Sequence, residues 1–561
     1  MAGGSRPLDS TQATRFRQAL GLLQSGQAQG ALAIARTLAD EAPRAADAWQ
    51  LLGMCQAEAA DHDRAEEAFE RALALSPGNS VVSRNYGVAL ARRGKALRGQ
   101  REWEVAEPVL RKALALWAGQ PPAWVDFGVV LRELGRIDEA LSAFRRAADL
   151  LRQRGLGDPG VEDAINGVLA DAGRTEEALE GARRLVARYP QHVPAHETLA
   201  TLLWEDGAGS EPDEDPFARF RTAARAQPGN LPLQLALARM VLAARLAEDA
   251  LALVQPLRRR DPGNPVLQWF AADALDALGQ HEQAASLYAQ VATGELADTP
   301  EFLNAHARHA FRTGRFDLAA NCARKVVGID PDNQEGWSHL GTAWRLAGDE
   351  REHWLFDYER LVGYVEVAPP PGYDDLSEFL RDLAATLDAM HKARREPVSQ
   401  SVRGGTQTAG QLFGRDDGSI KAAQAALRTA VEGWVAGLPD DDGHPFLSRK
   451  RRSVRFVGSW SVKLVAEGRH SSHIHPKGWA SSAFYVSLPR SVLAADRESP
   501  AGWLQFGQPL EELGLDLPPR RVIQPRPGHL ALFPSYTWHG TVPFDAGESR
   551  LTIAFDMQPR P

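Results

Sequence analysis

The chain has 561 residues, 44% of them apolar and 24% charged, which is too long for one hydrophobic core and too apolar for disorder. Its formal net charge of -8, with both signs mixed along the chain, excludes a sequence-independent grip on nucleic acid. Only Cys55 and Cys322 are present, which excludes a disulfide framework and a zinc–thiolate site and suits a reducing cytoplasm, the expected localisation. Residues 1–11 lack the apolar stretch of a signal peptide. No run of about 18 apolar residues occurs elsewhere, so no membrane span is expected.

From Trp49 the chain reads Trp-x2-Leu-Gly, followed by Ala65, Phe69 and Ala72 and closed by Pro77. The same phase returns at Ala31 and Pro43, at Trp124, Gly128, Ala140, Phe144 and Ala147, at Ala178 and Pro190, at Ala250 and Pro262, and through Ala319 to Pro331 and Trp337 to Gly341. Pro43 and Pro77 stand 34 residues apart, as do Pro228 and Pro262. This pattern resembles the tetratricopeptide repeat (TPR), in which a small residue lets two antiparallel helices approach and aromatic and Ala positions fill the space between them. Roughly nine units over residues 1–362 make an all-α solenoid. Its concave surface would take a protein or peptide partner. Residues 93–102 and 207–215 read as insertions looping out from the surface.

The repeat phase ends after Leu361, and residues 367–372 are Pro-rich. An amphipathic helix is expected over 375–392, with Leu376, Phe379, Leu380, Leu383 and Leu387 on one side, and another over 420–436. Between them Arg403 to Thr408 is polar and Gly-rich, either a linker or an ordered loop near a site. No Gly-Lys-Ser/Thr comes after it, so it is not a phosphate-binding loop. Residues 363–450 are thus a linker and helices packing on the C-terminal domain. The basic cluster Lys450, Arg451, Arg452 and Arg455 reads as a solvated edge before a strand, the alternative being contact with an acidic substrate or an interdomain carboxylate.

Residues 451–561 change to short β-rich runs at Val454, 460–465, 483–488, 503–506, 529–533 and 550–555, separated by turn residues. A double-stranded β-helix (jelly roll) with flanking helices is expected, making the chain an α+β multidomain protein. Two histidine groups stand out, His470-Ser-Ser-His473-Ile-His475-Pro476 and Trp538-His539-Gly540. On a strand, residues two apart share a face, so His473 and His475 could aim at one point and His539 could complete a facial set. Such a triad leaves positions open for a cosubstrate and dioxygen on non-haem iron(II). The usual carboxylate of the His-x-Asp/Glu pair is replaced here by His475. The centre is then either an all-histidine triad or a reduced set completed by His470 or water. Eleven residues past His539 come Arg550 and Thr552, on one strand face, where a guanidinium and a hydroxyl could grip a carboxylate such as that of 2-oxoglutarate. Tyr485, Ser482, Trp479 and Trp460 are candidates for lining the pocket.

From about Pro369 onward the chain resembles the 2-oxoglutarate/Fe(II) oxygenases found fused to TPR arrays, in the segment 400–408, in the run His473-Ile-His-Pro-Lys-Gly-Trp479 with Ser482-Ala-Phe-Tyr-Val486, and in the block from Phe533 through His539 to Arg550. The resemblance implies a metal held by His473, His475 and His539. It also implies 2-oxoglutarate bound at Arg550, with Thr552, Tyr485 and Ser482 beside it. Fe(II) and 2-oxoglutarate are the expected cofactors, with ascorbate a candidate reductant. The expected activity is hydroxylation of a protein or peptide side chain recruited by the array. The alternatives are a small-molecule oxygenase that uses the array for assembly, and a non-catalytic scaffold with a metal-binding β domain.

Overall fold

The computed structural model describes residues 5–206, 215–391, 401–408, 410–496, 498–544 and 547–560, with backbone alone at 466–467. Packing divides the chain into two units, Met1–Val168 and Leu169–Pro561.

In the first unit, helices pair antiparallel as the repeat pattern requires, for example Ala46–Glu58 with His62–Leu75 and Pro121–Glu133 with Ile137–Gln153. Phe69 and Phe144 are fully buried between the members of each pair. A methyl group added at Gly53 would lie 2.8 Å from the Phe69 ring, and one at Gly128 2.9 Å from the Phe144 ring. Glycine is therefore selected by helix approach here, not by turn formation. Gly53→Ala is expected to destabilise this unit by about 1–3 kcal/mol through overpacking, read as a lowered thermal midpoint.

The repeat tryptophans pack at the edge of the core, Trp49 and Trp337 lying partly buried against its apolar residues. Trp49, Trp124 and Trp337 are half-buried. Each indole N–H donates to the backbone carbonyl six residues earlier: to Pro43 O at 3.0 Å, Ala118 O at 2.8 Å and Pro331 O at 2.8 Å. Gln268 does the same to Pro262 O at 2.8 Å. These bonds satisfy carbonyls just past a helix end, where no backbone donor remains. The insertion expected at 93–102 is also corrected: it lengthens the helix Ser80–Gly99 instead of looping out. Of the second expected insertion, residues 207–214 lie outside the described residues.

In the second unit, helical pairs continue to Gln334–Ala347 and Arg351–Phe356, after which the chain enters a sheet. Among the described residues nine strands follow: β1 Gly363–Glu366, β2 Val402–Gln407, β3 Val454–His470, β4 Ala480–Ser487, β5 Leu504–Phe506, β6 Arg521–Ile523, β7 His529–Pro534, β8 His539–Thr541 and β9 Arg550–Pro559. All pairings are antiparallel, in one sheet ordered β1-β7-β4-β9-β3-β2 and a second ordered β6-β5-β8. This is the expected two-sheet jelly-roll architecture behind a TPR region. Arg403 to Thr408 is no linker, since most of it forms β2 along β3. Lys450 turns inward to Leu438 O at 3.0 Å and to Asp440, whereas Arg451 and Arg452 are exposed.

The six-stranded sheet has two distinct faces because side chains alternate along each strand. Phe484, Leu530, Leu532, Ile553 and Phe555 pack on the helices Leu376–Met390 and Gly418–Gly437. Asp375 and Asp417 start those helices by accepting backbone N–H bonds. Ala483, Ala531 and Phe533 point the other way, toward Leu504, Phe506 and Ile523 of the second sheet. The odd-even logic therefore predicts which residues of β4 and β9 look into the space between the sheets.

The last repeat helices belong to the same packed body. Trp538 sits among Phe311, Ala343 and Leu513, and its indole donates to Thr342 Oγ1 at 2.9 Å. Arg345 donates to Gly507 O and Pro518 O, both at 2.7 Å, and Arg312 to Glu512 O at 2.7 Å. Arg520 grips the buried Glu352 through two bonds of 3.0 and 2.8 Å. The free cysteines Cys55 and Cys322 are both buried. Among the described residues no helix is long and apolar enough to cross a membrane.

Candidate functional site

His473 and His539 face each other as an isolated antiparallel pair, exchanging backbone bonds of 3.0 and 3.1 Å. The pairing sends both rings to one side, with centroids 4.2 Å apart. His475 arrives differently. Pro476 and Lys477 make a turn closed by the Gly478 N–H on His475 O, and the His475 N–H donates to Ser535 O at 3.0 Å. Convergence of His473 and His475 thus comes from a pinned loop beyond β3, not from the strand alternation expected for it. Their Nε2 atoms lie 3.1 Å apart. The three residues offer ligand atoms all within 4.8 Å of one another. Two nitrogens at 90° on a metal with about 2.1 Å bonds would be about 3 Å apart, so the spacing suits one ion.

Every Nδ1 is engaged. That of His473 lies 2.8 Å from Ser471 O and that of His539 3.0 Å from Thr537 O, each a carbonyl two residues back. That of His475 lies 2.5 Å from Asp556 Oδ1. With Nδ1 as donor, each Nε2 keeps its lone pair for a cation. Burial, reinforced by the neighbouring imidazoles, holds His473 and His539 well below the ordinary histidine range, so both are neutral, as ligands must be. His470 stands apart: its Nδ1 is 3.1 Å from Ser401 Oγ, its ring is 5.6 Å from that of His473, and burial lowers it to about 3.

The rings open onto a cavity of about 460 Å³ between the two sheets, within the range of small-molecule sites. Arg550, Thr552, Ala554 and Asp556 line it in alternation from β9. Arg550 is 2% exposed and its Nη1 donates to Gly502 O at 2.7 Å. Its Nε has no hydrogen-bond partner, its guanidinium carbon lies 5.1 Å from the centre of the Tyr485 ring, and no carboxylate pairs with it among the described residues. Burial lowers its pKa, the cost of a cation without a counter-ion.

The remaining expected lining residues separate by strand parity. Ser481, Ala483 and Tyr485 look toward the cavity side, whereas Ser482 borders the cavity with its hydroxyl committed to the Phe555 backbone at 2.9 and 3.0 Å. Trp460 lies beside His475, with ring centroids 5.6 Å apart. Trp479 is on the opposite side, stacked on Phe446 at 4.4 Å with its indole bonded to Phe446 O. Gln407 of β2 also reaches the cavity. Sequence reasoning missed Asp556 and Ser481. The Arg550 and Thr552 alternation, continued four residues, would have found the first.

Asp276, His281 and His309 form a second compact group in the repeats. There Oδ1 of Asp276 already takes both Nδ1 atoms, at 2.7 and 2.9 Å, and Oδ2 takes Arg312. Those partners neutralise the carboxylate, and the group reads as charge stitching between helices.

Comparison with known proteins agrees with this division. Residues 458–556 match the family described as "Putative 2OG-Fe(II) oxygenase", and residues 16–80, 91–154 and 304–350 match the tetratricopeptide repeat. Cellulose synthase operon protein C of Xanthomonas axonopodis pv. citri (strain 306) is 27% identical over 305 residues, 52% of this chain; the match spans only 20% of that protein. MamA from Desulfovibrio magneticus RS-1 is similar at 17% identity and a TM-score of 0.26, over 32% of this chain and 96% of its own. Pseudomonas aeruginosa pilF is similar at 21% identity and a TM-score of 0.27, over 40% and 95%. The chain therefore carries tetratricopeptide repeats followed by a C-terminal 2OG-Fe(II) oxygenase-family domain at residues 458–556.

Proposed function

We propose that this domain is a 2-oxoglutarate- and Fe(II)-dependent dioxygenase that hydroxylates a protein or peptide side chain brought to it by the repeats. The observation that carries the reading is the convergence of three imidazoles on a cavity that also holds a buried guanidinium with no carboxylate partner among the described residues. Three imidazoles would hold the ion from the protein side and leave it able to take further ligands. In this reading Nε2 of His473, His475 and His539 hold Fe(II), and His470 serves as a neighbour, not a ligand. Bound Fe(II) with 2-oxoglutarate supplies the oxidising chemistry that amino-acid side chains lack.

Arg550 receives the distal carboxylate of 2-oxoglutarate, with the Thr552 hydroxyl beside it and the Tyr485 ring beneath its guanidinium. Ser482 acts at one remove, fixing β4 to β9. We divide the chain functionally into 1–362 for recruitment, 363–450 for support and 451–561 for chemistry, with β1 and β2 of the middle segment completing the sheet. A protein substrate is favoured because TPR arrays generally bind protein segments, an architectural argument.

The test is release of succinate from 2-oxoglutarate by purified protein with Fe(II) and oxygen, with ascorbate as reductant, alone and with a peptide library. Succinate release that Arg550→Ala removes supports the reading. Metal binding without any Arg550-dependent turnover contradicts it.

A further inference from the structure

The triad lacks the carboxylate that usually brings negative charge to an iron(II) site, and three imidazole ligands would add no negative charge to offset the double charge of an ion in a buried cavity. One carboxylate nonetheless faces this site. Asp556 is 8% exposed, and its Oδ1 accepts from His475 Nδ1 at 2.5 Å and from Ser481 Oγ at 2.7 Å. Ser481 is in turn 2.7 Å from Ser535 Oγ, and Ser535 O holds the His475 backbone. Among the described residues no Lys or Arg pairs with Asp556; its only basic partner is His475. The other two triad histidines rest on uncharged backbone carbonyls. The anionic support is therefore confined to the histidine that stands where the acid is expected.

We propose that Asp556 supplies the missing carboxylate from one residue out, acting on the metal through His475. This rests on the proposed triad and names a positioning residue, since Asp556 touches His475 and not the ion. Its charge draws the Nδ1 proton, which makes Nε2 a stronger donor, and its fixed place between Ser481 and His475 sets the ring's angle. The same charge compensates the ion across the ring, and the ion compensates a carboxylate that otherwise lies buried with no Lys or Arg beside it.

The experiment is anaerobic titration of the full chain with Co(II) and Fe(II), reading affinity by calorimetry and the Co(II) ligand-field spectrum, with circular dichroism to check the fold. Asp556→Asn keeps the size and the Oδ1 acceptor and removes the charge. It is expected to weaken metal binding about 10–100-fold and to shift the Co(II) bands. Ser481→Ala and Asp556→Glu, which keep the charge, are expected to stay within about fivefold of the parent. Asp556→Asn binding within twofold of the parent, or Asp556→Glu as weak as Asp556→Asn, would overturn the proposal while leaving the triad intact. If Asp556→Asn does not fold, Asp556→Glu decides: metal retained with a parental spectrum supports the proposal, and metal lost overturns it. A parent chain that binds no metal removes the triad reading and this proposal together.

Discussion

Arg550→Ala is expected to leave metal binding intact and to weaken 2-oxoglutarate binding by a hundredfold or more, with succinate release falling to background. Truncating one partner of a buried, hydrogen-bonded charge pair typically costs about 2–5 kcal/mol, and each 1.4 kcal/mol is tenfold. Arg550 is at the strong end of that range because no protein carboxylate shares it among the described residues and burial makes its uncompensated charge costly. Arg550→Lys should recover only part of the affinity, since an ammonium cannot present two parallel donors to a carboxylate. Calorimetry with 2-oxoglutarate and Co(II)-loaded protein separates the two losses. Equal weakening of metal and cosubstrate would show that Arg550 holds the cavity open and does not bind the ligand.

A fragment of residues 363–561 is expected not to fold, whereas 169–561 should. The oxygenase-family match starts at residue 458, yet the core under its sheet includes Leu340, Trp344, Leu355, Phe356 and Leu361. Cutting at 363 would also expose Trp538 and strand Tyr536, whose hydroxyl donates to Leu355 O at 2.8 Å. Each large apolar side chain uncovered costs about 1.5–3 kcal/mol, and several together exceed the 5–15 kcal/mol that stabilises a domain. Arg520 would lose Glu352, and Gly507 and Pro518 would lose Arg345. Because Trp538 precedes His539, partial folding of the fragment should still appear as lost metal affinity. Circular dichroism and melting curves of the two fragments check this. A cooperative melt of 363–561 with parental metal affinity would show that the repeats are a detachable appendage.

The repeat array was readable because each unit repeats its own pattern: Gly53 with Phe69, then Gly128 with Phe144, at one spacing. The tryptophans were legible as packing residues, whereas the pattern did not show that each indole N–H also donates to a carbonyl six residues back. The long strands β3, β4, β7 and β9 carried enough alternation to be seen. The four-residue β1 and the three-residue β6 and β8 carried too little. Arg403 to Thr408 stayed open between a linker and an ordered loop because Gly404 and Gly405 suppress strand propensity, while pairing with β3 overrides it. At the site, residue type pointed to His473, His475, His539 and Arg550, and the structure brings all four to one cavity. What spacing could not show is which rings are held by what. The Asp556 contact joins positions 81 apart in sequence, and Ser481 and Ser482 differ only in strand parity.

In the proposed function one ion is held by three imidazoles in front of Arg550. A crystal grown without oxygen from protein loaded with Fe(II) and 2-oxoglutarate, with anomalous data at the iron edge, tests it most directly. One strong peak is expected within bonding distance of Nε2 of His473, His475 and His539, with a ligand carboxylate on the Arg550 guanidinium. No peak there, a peak at His470 in place of one of the three, or a 2-oxoglutarate carboxylate turned away from Arg550 would contradict it.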